Sequence, residues 1–67
     1  MQDQPDDSIR LDHFLKVQGV AATGGQAKIM IQCGEIEVNG QIETRRGRKL
    51  RAGDVVSMED LTLSVEL

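Results

Sequence analysis

The sequence contains no tryptophan and no tyrosine, and Phe14 is its only aromatic residue. Proteins that read unpaired bases stack them on aromatic faces, so that mode of recognition has no platform here. The core must be aliphatic. A single cysteine, Cys33, excludes an internal disulfide framework, and together with a single histidine, His13, it falls short of the four ligands of a structural zinc site. A reducing cytoplasm fits this composition. No apolar run approaches the roughly 18 residues of a membrane span, and the opening "MQDQPDDS" is acidic and polar where a secretory leader is basic and then apolar. The expectation is a soluble, cytoplasmic protein with no membrane partner.

Catalytic groups are equally sparse. Nucleophilic or acid–base chemistry needs a positioned base and an orienting group, or two carboxylates with separated pKa values. His13 falls within a helical pattern and reads as a structural residue. Cys33 follows Ile29 and Met30 on an apolar face and reads as an inert buried thiol. Glu35, Glu37 and Glu43 are spread along a hairpin, where they serve solubility and edge protection. The chain reads as a binding protein with no enzyme activity, no metal and no cofactor.

Charge is what the sequence does have, and it is unevenly placed. The net charge is -3 over 67 residues, yet Arg45, Arg46, Arg48, Lys49 and Arg51, five of eight basic residues, fall in one seven-residue run. Exposed charges farther apart than about 8 Å are largely screened at physiological salt, so distribution outweighs the sum. Five cations this close repel one another, and an anionic partner would relieve that repulsion. Short basic runs of this kind are frequent phosphate-binding patches.

At 67 residues the chain has room for one domain with a shallow core. Residues 1 to 7 read as a disordered acidic tail and residues 8 to 67 as a single folded unit. In "SIRLDHFLKVQG" the spacing of Leu11, Phe14 and Leu15 predicts a first helix, with Asp12 and Lys16 paired at i, i+4 and Gly19 as its stop. Thr23 and Gln26 form a capping box that opens a second helix. Its apolar face runs through Ala27, Ile29, Met30, Ile31 and Cys33, and Gly34 is its left-handed cap. "EIEVNGQIETR" is a hairpin around Asn39-Gly40. A strict two-residue loop would leave Ile42 on the opposite face from Ile36 and Val38, so a bulged three-residue loop pairing Ile36 with Ile42 is the preferred register. "RAGD" reads as a turn. "DVVSME" and "LTLSVEL" read as two further strands, the last alternating Leu61, Leu63, Val65 and Leu67 with polar residues.

Taken in order, "RLDHFLK", "TGGQAKIMIQCGEIEVNG" and "ETRRGRKLRAGDVV" resemble the S-four RNA-binding domain, or alpha-L motif, over about residues 9 to 58. "GGQAK" with "RRGRKL" is similar to the stand-alone bacterial YbcJ-type members. The resemblance implies an α+β fold, two short helices packed on a small antiparallel β-sheet with a hairpin. It also implies one RNA-facing surface, carried by Arg10 on the first helix, Thr23, Gln26 and Lys28 at the start of the second, and Arg45, Arg46, Arg48 and Lys49 in the basic loop. Lys16 and Arg51 stand at its margin. Many relatives carry Arg after the capping residue, where this chain has Gly24; that leaves backbone donors in place of a side-chain contact. The implied partner is structured RNA, ribosomal or transfer RNA, bound by a monomer through phosphates with limited base specificity. Reversing Arg45, Arg46 and Lys49 to Glu is expected to abolish binding and leave unfolding unchanged. The competing readings are a ribosome-associated factor with RNA and protein contacts, an accessory delivering RNA to a modifying enzyme, and a protein-interaction module such as a ubiquitin-like sulfur carrier. Against the sulfur carrier, "SVEL" at the C-terminus does not offer the Gly-Gly such carriers activate.

Overall fold

The computed structural model describes residues 7 to 67. The acidic tail expected over residues 1 to 7 therefore lies outside the described residues, apart from Asp7. The elements run β1 (Ile9–Arg10), α1 (Leu11–Val17), α2 (Gly24–Gln32), β2 (Glu37–Val38), β3 (Gln41–Ile42), β4 (Lys49–Leu50), β5 (Val55–Met58) and β6 (Leu61–Ser64). Two helices and an antiparallel sheet of order β3-β2-β5-β6 make the expected α+β arrangement, and β1 pairs with β4 in a separate two-stranded ribbon. The aliphatic core is shared by every layer. Leu11, Phe14 and Leu15 of α1 pack with Ala27 and Ile31 of α2, and Ile36, Val38, Leu50, Val56 and Val65 close the cluster.

The α2 start follows the sequence signal. Thr23 Oγ1 accepts the Gln26 N–H at 3.1 Å, and Gln26 Oε1 reaches back to accept the Ala22 N–H at 2.8 Å. Its far end turns at Gly34, whose φ of 83° is a left-handed conformation that costs glycine nothing. The apolar face of α2 is narrower than its composition suggests. Ala27 and Ile31 are buried, Met30 is half-buried, and Ile29 and Cys33 are exposed. Cys33 is thus not the buried thiol expected: it caps the helix where the chain turns away.

The start of α1 departs further from expectation. Arg10 belongs to β1 and is the N-cap of α1 with extended backbone, not a residue of the helix, and its side chain makes no capping bond. The orphan first-turn N–H groups are satisfied from elsewhere: Leu11 N–H donates to the Arg48 carbonyl at 2.8 Å and Asp12 N–H to the Arg46 carbonyl at 3.1 Å. The basic loop is the cap of the first helix. Register places Ile9 opposite Leu50 and Arg10 opposite Lys49, so Leu50 enters the core as the loop's anchor at 0% exposure.

The hairpin takes the two-residue loop, not the bulged one. Glu37 pairs with Ile42 and Val38 with Gln41. Asn39 and Gly40 have φ of 53° and 84°, the two left-handed residues a tight type I′ turn requires. Asn39 is also tied to β5: its N–H donates to the Val55 carbonyl, its Oδ1 accepts the Val55 N–H at 3.0 Å, and its Nδ2 donates to Asp54 at 3.2 Å. These bonds outweigh the burial lost at Ile42, which is left 64% exposed. Asn39→Ala should therefore cost about 1–2 kcal/mol in urea unfolding, from left-handed strain and lost hydrogen bonds together. Asn39→Gly should recover only the strain component. The final strand is also wetter than its alternation predicts, since Leu61 and Leu67 are exposed and only Val65 is fully buried.

Candidate nucleic-acid interface

Strand period two means that turning Ile42 outward turns Glu43 inward. Glu43 N–H donates to the Ile36 carbonyl, and the residue is only 7% exposed. Its carboxylate gathers the loop: Arg45 donates from its backbone N–H at 3.0 Å and from Nε at 3.1 Å, and Arg48 donates from Nη1 at 2.9 Å. Glu43 is a brace for the basic loop and not the solubilising surface charge expected.

A second carboxylate plays the same part. Asp12, 6% exposed, accepts from Arg10 Nε at 3.2 Å and Nη2 at 3.1 Å, from Arg46 Nε at 2.9 Å, and from the His13 N–H at 2.8 Å. The expected pairing of Asp12 with Lys16 is not formed; Asp12 faces the loop, and Lys16 is left exposed. The mutual repulsion of the arginines is thus reduced inside the fold by two buried anions. Four guanidiniums are held in place, with their outer edges still in water.

Arg10, Asp12, His13, Lys16, Gly24 and Arg46 line a cleft of about 310 Å³ between the loop and the two helices. Gly24, the first residue of α2, brings the positive end of that helix dipole to the cleft. Arg46 Nη2 stands 3.8 Å from where a Cβ on Gly24 would sit. A guanidinium from the loop, not a side chain at position 24, occupies the space over the helix start. Gly47 similarly leaves room for Arg10, whose Nη2 would meet an added Cβ at 3.7 Å.

The eight expected site residues are only partly brought together. Arg10 and Arg46 meet at Asp12, and Arg45 and Arg48 meet at Glu43. Lys49 lies across the ribbon from Arg10, and Lys28 is exposed one turn along α2 from Gly24. Thr23 and Gln26 use their side-chain oxygens to cap α2, which makes them positioning residues first. Sequence reasoning missed Asp12 and Glu43, and it treated Lys16 as marginal although Lys16 lines the cleft.

Both carboxyls titrate low. Burial pushes Asp12 up, but the hydrogen bonds from Arg46 and the His13 N–H and the charge of Arg10 together hold it below the usual carboxylate range. Glu43 is lowered from 4.5 to about 2, chiefly by the hydrogen bond from Arg45 and then that from Arg48. The folded chain therefore keeps Glu43 charged where the unfolded chain takes up a proton. Its stabilisation is complete above about pH 5 and drains away as pH falls from 4.5 toward 2. Because Arg45 is three-quarters exposed, solvent screening reduces this to about 1–2 kcal/mol. The stability gap between the wild-type chain and Glu43→Gln in urea should be full at pH 6 and close only below about pH 2.

Over 57 residues the chain is 39% identical to "Putative RNA-binding protein YbcJ" of Escherichia coli (strain K12), covering 85% of this chain and 81% of that one. Over 51 residues it is 47% identical to "Probable ribosome maturation protein RlbA" of Bacillus subtilis (strain 168), covering 76% and 72%. The family model described as the S4 domain matches residues 4–66, nearly the full length, and the chain belongs to the S4 domain family.

Proposed function

We propose that this protein binds structured RNA, ribosomal or transfer RNA, as a non-catalytic cytoplasmic monomer that grips the phosphate backbone. The observation that carries this reading is the pair of buried carboxylates, Asp12 and Glu43, each holding two arginines with their outer edges in water. Guanidiniums fixed in this way lose less freedom on meeting a phosphate than free side chains do. Family membership and a relative named for RNA binding support the same reading. Arg10, Arg46, Lys16 and the α2 start form the inner site; Arg45, Arg48, Lys49 and Lys28 extend it. With Phe14 buried, contacts go to phosphate and shape rather than to stacked bases.

The relative named for ribosome maturation favours ribosomal RNA as the target. The test is a salt titration with a structured ribosomal RNA fragment, a transfer RNA and a single-stranded oligouridine. Contact with about four to six phosphates gives a slope of log K against log salt of roughly -3 to -5 on the structured RNAs. A flat titration rejects phosphate binding, and equal affinity for oligouridine rejects the preference for structure.

A further inference from the structure

A second concavity lies toward the other end of α2, and none of the residues proposed to contact RNA lines it. Its volume is about 460 Å³, and its lining includes Met30, Met58 and Leu61 together with Glu35, Glu59 and Asp60. Met58 is buried, Met30 is half-buried, and Leu61 is 43% exposed. The three acidic residues are exposed, none is in an ion pair among the described residues, and no basic residue lines the groove. This is the reverse of the arginine face, where each buried carboxylate is matched by two cations. Glu59 also sits at a φ of 48°, a left-handed turn position better suited to Asn or Gly, yet a carboxylate is held there at the groove's edge.

We propose that this groove is a docking site for a basic, amphipathic segment of a partner protein. Apolar side chains of the segment would enter among Met30, Met58 and Leu61, with flanking Lys or Arg meeting Glu35, Glu59 and Asp60. Two unbranched methionines re-pack around different aliphatic shapes, which suits a peptide ligand. The acidic rim selects the partner's charge and repels nucleic acid, so one small chain can hold RNA at one site and a protein at the other.

The probe is a synthetic twelve-residue amphipathic peptide of Lys and Leu, titrated without RNA into the full chain labelled at its methionine methyls. Control peptides replace every Lys with Glu, or every Leu with Ser. The expected result is saturable shifts of the Met30 and Met58 methyls, with each control at least tenfold weaker. Glu59→Lys with Asp60→Lys should weaken the Lys-Leu peptide at least tenfold without lowering RNA affinity, and leave unfolding unchanged. Leu61→Ser, at an exposed position, tests the apolar part without touching the core. No shift at either methionine, or shifts that survive both charge reversals, would overturn the proposal. So would concentration-dependent self-association that moves the same methyls without peptide, which would make a second copy the occupant. RNA titration of the same variants reads the other site independently.

Discussion

Asp12→Ala should lower unfolding stability by about 2 kcal/mol at pH 7 and weaken RNA binding, although it makes the binding face more positive. The stability loss has two sources. Asp12 lies in the first turn of α1, where a carboxylate is favoured by the helix dipole and accepts the His13 N–H. It is also the buried partner of Arg10 and Arg46. Breaking a fully buried pair costs about 3–5 kcal/mol, but the two arginine side chains are 55% and 39% exposed and regain water. That places the total at the lower figure. Asp12→Asn keeps an acceptor for the His13 N–H and should lose about 1 kcal/mol. Binding decides between two effects. Removing an anion favours phosphate, whereas freeing two guanidiniums adds about 0.5–1.5 kcal/mol of ordering for each side chain. Ordering should win, giving roughly a 3–10-fold weaker Kd. A tighter complex in Asp12→Ala would show that the carboxylate is only an opposing charge.

The large features of the fold were legible because each has a local cause. Leu11, Phe14 and Leu15 announce one helix by spacing, Thr23 and Gln26 announce the start of another by capping chemistry, and Asn39-Gly40 announces the turn. The errors came where burial and turn chemistry compete. Weighing Ile42 above the Asn39-Gly40 preference gave the wrong register, and with it the wrong side of the strand for Glu43. That one-residue slip separates a surface acid from the brace of Arg45 and Arg48. Other parts of the site had no local signal. Asp12 meets Arg46 across 34 positions, and α1 borrows its cap from the carbonyls of Arg46 and Arg48. Arg10 read as helical because the helical stripe begins beside it, yet pairing with Lys49 in the ribbon keeps it extended. The cluster of cations was visible in the sequence; the anions that organise it become visible only in three dimensions.

Those anions also decide which charge reversals test binding cleanly. Arg45, Arg46 and Lys49 all lie in the basic segment, but reversing Arg46 would set a new carboxylate beside the buried Asp12, so unfolding should not stay unchanged as the sequence suggested. Lys16, Lys28 and Lys49 form no ion pair among the described residues and are exposed. Their conversion together to Glu should leave the fold within about 0.5 kcal/mol of wild type, as for ordinary surface changes. RNA affinity should nevertheless fall by about 100-fold or more at physiological salt, with the salt slope flatter by about 3 if each lysine meets one phosphate. Arg46→Glu alone should show the opposite division, with stability falling by about 2 kcal/mol or more alongside binding. Equal RNA affinity in the triple lysine variant would confine recognition to the four braced arginines. A loss of stability matching the loss of binding would instead make these lysines part of the fold.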